Sequence, residues 1–215
     1  VIMPGMDGFE VCRRLKADLR TQHIPIVMVT ALTDSVERVR ALEAGADDFL
    51  SKPVDDATLA ARLRALLRVK QVQDAWRQRA STARELGLEA PAEPEPSVAG
   101  AEALALAETE EEAARIALIL EQDAIQVRRV TTPVAAGDAL AEGVFDLGVL
   151  ALANEGGEVL RLASRLRANA GTRDLPVLLI ADATQKALVL RGFDLGANDH
   201  ALRPLDPNEL RARAR

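Results

Sequence analysis

Short apolar runs alternate along this chain with longer stretches whose apolar residues recur at helical spacing. Val1-Ile2-Met3 stops at the turn cluster Pro4-Gly5-Met6-Asp7-Gly8 and reads as the tail of a strand. Asp7, followed three residues later by Glu10, marks a helix start, and that helix carries Phe9, Cys12 and Leu15 on one face. Ile24 to Val29 is a continuous β-branched run closed by Thr30-Ala31, which suits a strand covered on both faces in a parallel sheet. Ser35 to Ala44 predicts a second helix, with Val36, Val39 and Leu42 at near-helical spacing and a stop at Gly45. Phe49-Leu50 is the next strand, and Asp55 or Asp56 caps the helix after it. That helix is long. Leu59, Leu63, Leu66 and Leu67 form an apolar stripe over the domain, Val72, Trp76 and Leu86 continue it, and Arg62, Arg64, Arg68 and Arg77 line the outer faces. Gly87 ends it, before an acidic, proline-rich linker from Glu89 to Ser97.

Beyond the linker the alternation resumes. Strands are predicted at Ala103 to Ala107, Ile125 to Val130, Phe145 to Ala151, Pro176 to Ala181 and Asp199 to Leu202. Helices separate them at Glu110 to Gln122, Val134 to Ala141, Glu158 to Ala168 and Gln185 to Leu195, and a closing helix begins near Pro207. Five strands alternating with helices define an α/β fold, a doubly wound parallel sheet of flavodoxin-like type.

The two halves are copies. Gly45-Ala46-Asp47-Asp48-Phe49-Leu50-Ser51-Lys52-Pro53 returns as Gly196-Ala197-Asn198-Asp199-His200-Ala201-Leu202-Arg203-Pro204; subtracting 45 from 196 and 53 from 204 gives the same offset, 151. The offset also lays Ile24-Pro25-Ile26-Val27 on Leu175-Pro176-Val177-Leu178. The expected organisation is residues 1–87, 88–101 as the linker, and 102–215. On the same offset the first copy should open roughly fifty residues before Val1, so its sheet is expected to be N-terminally incomplete.

Composition narrows the function. The net charge is −6 and aromatic residues are 2% of the chain, which argues against a nucleic-acid surface and leaves no stacking platform. The arginines of the long helix then read as a solvated face. Cys12 is the one cysteine, so no disulfide framework or cysteine-rich zinc site is available; it is expected in the core, and a reducing cytoplasm is the simplest setting. No apolar run reaches membrane-spanning length.

In open α/β sheets, sites form at the carboxyl ends of strands. Thr30 ends one strand, Lys52 its neighbour, and Ile2 to Pro4 follow a third. A lysine ammonium suits phosphate, a threonine hydroxyl donates to a phosphoryl oxygen, and a backbone carbonyl completes the oxygen shell of Mg2+. Met3-Pro4-Gly5-Met6-Asp7-Gly8, Thr30-Ala31 and Lys52-Pro53 at these spacings resemble the receiver domain of two-component response regulators, and the whole run resembles the double-receiver half of such regulators that drive a diguanylate cyclase. The resemblance implies a phosphoacceptor aspartate one place before Val1, with an acidic pair further upstream. It makes Ile2 the Mg2+ ligand through its carbonyl, Thr30 the hydroxyl that follows phosphorylation, and Lys52 the salt-bridge partner of the phosphoryl group. Phe49 becomes the aromatic that reorients, and Pro53 the residue after a cis bond. It also implies a sensor histidine kinase or phosphotransfer protein as donor, a phosphorylation-dependent homodimer, and a diguanylate cyclase output, making cyclic di-GMP, beyond a segment that is itself no enzyme.

The second copy departs from that pattern. The offset places Ala151 at the phosphoacceptor position, Ala181 where Thr30 stands, Arg203 for Lys52 and His200 for Phe49, with Ala107-Glu108 at the acidic pair. It is expected to be a degenerate, unphosphorylated adaptor supplying a dimerisation surface, with His200 and His23 as surface or loop residues. Two other readings stay open: a flavodoxin-like cofactor module, which lacks a glycine-rich cradle at Ala107-Glu108-Thr109 or Ala151-Leu152-Ala153, and a purely structural pair of degenerate domains.

Overall fold

The apolar run at residues 24–29 enters the sheet three residues late, as β1 (Val27–Thr30), because Pro25 has no N–H to give a ladder. It pairs in parallel with β2 (Asp48–Ser51), Val27 opposite Asp48 and Thr30 opposite Ser51. Around them lie α1 (Gly8–Ala17), α2 (Ser35–Glu43) and α3 (Asp56–Glu85). The structure is a computed structural model that describes residues 5–31, 35–87, 98–153 and 156–215, and the chain divides into two units, 1–97 and 98–215. The strand expected at Val1-Ile2-Met3 and the linker from Glu89 to Ser97 lie outside the described residues.

In the second unit the elements follow as β3 (Glu102–Leu106), α4 (Glu110–Leu120), β4 (Gln126–Val130), α5 (Pro133–Glu142), β5 (Leu147–Ala151), α6 (Gly157–Ala168), β6 (Val177–Ala181), α7 (Lys186–Asp194), β7 (Asp199–Leu202) and α8 (Pro207–Ala214). The strand order is β4-β3-β5-β6-β7, all parallel, as the alternating pattern predicts. Ala103, Ala105, Val149 and Ile180 from the sheet and Ile116, Leu120 and Leu210 from the helices form one aliphatic core. Burial of those side chains supplies the main drive for folding. Thr109 caps α4 by accepting from the Glu112 amide at 3.2 Å.

The long helix corrects the sequence reading of its faces. Its buried positions include Ala61, Arg62, Ala65 and Ala80, whereas Leu63 and Leu67 are 43% and 51% exposed. Periodicity finds a stripe without saying what lies beneath it, and the described sheet of the first unit has two strands. Val29 is 40% exposed on β1 for the same reason, while its counterpart Ile180, inside five strands, is fully covered. Arg62, expected on an outer face, is 2% exposed because its Nε meets Asp48 Oδ2 at 2.9 Å. Cys12 is buried as expected, and burial pushes its thiol pKa up.

Two polar supports recur at the 151-residue offset. Asp48 with Arg62 becomes Asp199 with Arg213, at 2.7 and 2.9 Å, and Arg213 also reaches Glu209 at 3.1 Å. Each pair ties the first residue of the last strand to the helix after it. On the opposite side, Lys16 Nζ donates to Asp47 Oδ2 at 2.7 Å and to the Ile24 carbonyl at 3.2 Å, while Asp47 Oδ2 accepts from the Ile26 amide at 2.7 Å. In the second unit Arg167 donates to Asn198 Oδ1 at 3.0 Å and to the Leu175 carbonyl at 2.6 Å, and Asn198 accepts from the Val177 amide at 2.8 Å. Gly45 and Gly196 sit at φ +91° and +104°, and a Cβ at either would lie within 3 Å of the Lys16 or Arg167 stem. The glycine stop is therefore fixed by backbone conformation and by the clamp passing over it.

Removing one member of a buried pair leaves a desolvated charge behind. Asp48→Ala is expected to destabilise the first unit by about 3–5 kcal/mol in thermal denaturation, and Asp199→Ala by less, because Glu209 still holds Arg213. A second expectation concerns pH. Hydrogen bonds from Arg211 at 3.1 Å and Arg215 at 2.7 Å hold the Asp123 carboxyl well below the usual carboxylate range. A carboxyl lowered on folding adds stability above its unfolded pKa of about 3.9 and loses it as pH falls toward the folded value. The melting temperature of the second unit should therefore drop between about pH 5 and pH 3, and Asp123→Asn should flatten that drop.

Candidate functional site

Two strand tips meet where β1 and β2 end. The Lys52 amide donates to the Thr30 carbonyl at 2.7 Å, which continues the ladder one step past β2 and holds both residues at the carboxyl edge of the sheet. Thr30 is 2% exposed and Lys52 is exposed. Adjacent strands stand about 4.8 Å apart, so the two backbone positions lie side by side at this edge. The Lys52–Pro53 peptide is cis, as the resemblance implies for Pro53. Such an edge presents a solvated cation beside a buried hydroxyl, a set suited to an oxyanion.

Phe49 is placed elsewhere. Its ring is buried in a cluster with Phe9, Cys12, Met28 and Ala41, beneath α1 and α2, and its amide donates to Asp48 Oδ1 at 2.7 Å. Arg40 lies over the Phe9 ring at 4.7 Å in the same region. Ile2, assigned by resemblance to Mg2+, lies outside the described residues. Among the described residues no group of three or more His, Cys, Asp or Glu side chains is placed to hold a metal ion.

The corresponding edge of the second unit is built differently. Ala151 ends β5 and Ala181 ends β6, and the Arg203 amide donates to the Ala181 carbonyl at 2.9 Å, the same frame bond. The Arg203–Pro204 peptide is again cis. Arg203 Nε donates to Glu112 Oε1 at 2.7 Å, Nη1 to Asp182 Oδ2 at 3.3 Å and Nη2 to the Leu152 carbonyl at 3.2 Å. Gln185 Nε2 donates to the Ala153 carbonyl at 2.8 Å, while its Oε1 accepts from the Asp182 amide at 2.9 Å. Glu108, expected near the acidic pair, is exposed at the mouth of a cavity of about 590 Å³ that also takes in Thr131, Ala151 and Gly157. His200 packs edge-on against Phe193, centroids 5.8 Å apart, and is half-buried.

Glu112, Asp182 and Gln185 were not singled out from the sequence. Glu112 stands 91 residues from Arg203, a separation that no local pattern spans. Asp182 carried the available signal: it follows the tip of β6 directly, one strand away from an arginine that needs a counter-charge.

Residues 1–64 match the response regulator receiver domain, which places that segment in the receiver family. Along its whole length it is similar to Response regulator PleD of Caulobacter vibrioides (strain NA1000 / CB15N), 39% identical over 218 residues that cover 100% of this chain and 47% of that protein. The chain therefore spans just under half the length of that relative. About a third of it is also similar to transcriptional regulatory protein AfsQ1 of Streptomyces coelicolor, 52% identical over 68 residues, 32% of this chain and 29% of that one. The crystal structure of a putative response regulator from Chloroflexus aurantiacus J-10-fl covers 54% of this chain and 94% of its own, with a TM-score of 0.51 and 24% identity, a likeness of fold.

Gln185 holds two neighbouring loops with one amide group, and without it the Ala153 carbonyl loses its donor. Gln185→Ala is expected to cost the second unit about 1–3 kcal/mol, read as faster hydrogen exchange at the β5 and β6 amides of the full chain.

Proposed function

We propose that the first unit is the phosphoryl-accepting receiver of a two-component regulator and that the second unit is its unphosphorylated adaptor. The observation that carries this reading is the joined pair of strand tips, with buried Thr30 and exposed Lys52 linked by the 2.7 Å frame bond. The acceptor is an aspartate immediately upstream of Val1, at the position that Ala151 takes in the second copy. A histidine kinase or phosphotransfer protein donates: its P–N bond breaks as an aspartate carboxylate oxygen forms the new P–O bond. Lys52 neutralises the added charge, and the Thr30 hydroxyl donates to a phosphoryl oxygen, which is most of what phosphoryl transfer asks of a protein. Mg2+, with Ile2 offering its carbonyl, belongs to the same proposal, and no step here is routed through it.

The phosphoryl group then biases a two-state equilibrium in which Thr30 and Phe49 move, and the face built from α2, β2 and α3 repacks to favour a homodimer. The second unit contributes to that dimer without being modified. Likeness to PleD supports a diguanylate cyclase as the output beyond Arg215, and a cytoplasmic setting agrees with a described chain in which no helix is long and apolar enough to cross a membrane.

The full-length parent treated with beryllium fluoride, a phosphoryl mimic, is expected to dimerise more tightly in analytical ultracentrifugation. Thr30→Ala and Lys52→Ala should each weaken that response by roughly tenfold while leaving the unstimulated monomer folded. An equal response after replacing the upstream aspartate would overturn the reading.

A further inference from the structure

The second unit does more than lack an acceptor. The frame bond puts Arg203 where Lys52 stands in the first unit, yet Lys52 is exposed whereas the Arg203 guanidinium is committed on three sides: to Glu112 from α4, to Asp182 after β6 and to the Leu152 carbonyl after β5. The position 151 residues before Asp182 is Ala31, so the first unit has no carboxylate there. Ala153 stands 151 residues after Ile2, and its carbonyl already accepts from Gln185 at 2.8 Å.

We infer that Arg203, Glu112, Asp182 and Gln185 form an internal lock that fills the ligand edge of the second unit with protein groups and holds that unit in one conformation. One guanidinium between two carboxylates leaves the cluster net negative, so a free oxyanion is repelled where an uncommitted arginine would attract it. The side chains of Arg203 and Glu112 are 23% and 21% exposed, sheltered enough for the 2.7 Å bond between them to resist exchange with water. Four segments distant in sequence are fastened by this cluster: the first turn of α4, the loop after β5, the loop after β6 and the end of β7. The joint is permanent, and the unit is a fixed body and not a switch. The inference rests on the repeat and on these bonds, and it holds whether or not the first unit accepts a phosphoryl group.

The test uses the full chain, labelled for NMR, with inorganic phosphate at millimolar concentration as probe. In the unsubstituted protein the Arg203 Nε–H resonance should not move with phosphate, and the amides of residues 182–186 and 199–203 should exchange slowly. In the Glu112→Gln, Asp182→Asn double variant phosphate should shift that resonance, and those amides should exchange at least about tenfold faster. Arg203→Lys, which keeps the charge but cannot reach three acceptors, should also raise exchange, and it supplies the measurement if the double variant does not fold. Phosphate titrating Arg203 in the unsubstituted protein, or exchange unchanged in the variants, would overturn the lock. All readouts lie in the second unit, so failure of the first unit to respond to a phosphoryl mimic leaves them unaffected.

Discussion

One backbone hydrogen bond organises each half of this molecule. The amide after the last strand donates to the carbonyl that ends its neighbour, Lys52 to Thr30 at 2.7 Å and Arg203 to Ala181 at 2.9 Å. A buried polar group left without its partner is costly, so the two tips stay in register whatever side chains they carry. The chemistry of each half is then a choice of side chains on a constant frame. Thr30 and Lys52 stand on that frame in the first half, while in the second Arg203 is bonded to Glu112 and Asp182.

The supports beneath that frame tolerate changes of residue while keeping their contacts. Lys16 with Asp47 does with an ion pair what Arg167 with Asn198 does with a cation and a neutral amide, and in both copies the same three groups are joined: helix, carbonyl before the strand and amide entering it. Asp48 with Arg62 and Asp199 with Arg213 keep both residue types, and the first pair is almost wholly buried. In each copy the pair links the last strand to the helix that follows it, and breaking it would leave a desolvated charge.

Much of this was legible in the sequence because repeats, glycine stops and continuous apolar runs are local signals. The strand tips at Thr30 and Lys52 and the five-stranded second sheet follow from residues within a few positions of one another, whereas the cis bond at Pro53 was implied by the family resemblance. The misread features depend on what lies across space. Leu63 and Leu67 belong to a helical stripe yet stay largely exposed, and Arg62 looks solvent-facing until Asp48, fourteen positions earlier, is seen to claim it. Glu112 reaches Arg203 across 91 residues and four intervening strands, a pairing without a local signature. Ile2, whose role comes from resemblance alone, lies outside the described residues.

The pairing of like scaffolds has a practical meaning. Because clamp, glycine and buried ion pair recur at one offset, the molecule carries its own structural reference copy. A perturbation of temperature or solvent that disturbs both sheets reports on the common architecture; one that alters the first alone reports on reactive groups. An intramolecular control of this kind shares concentration, history and environment with the part it calibrates.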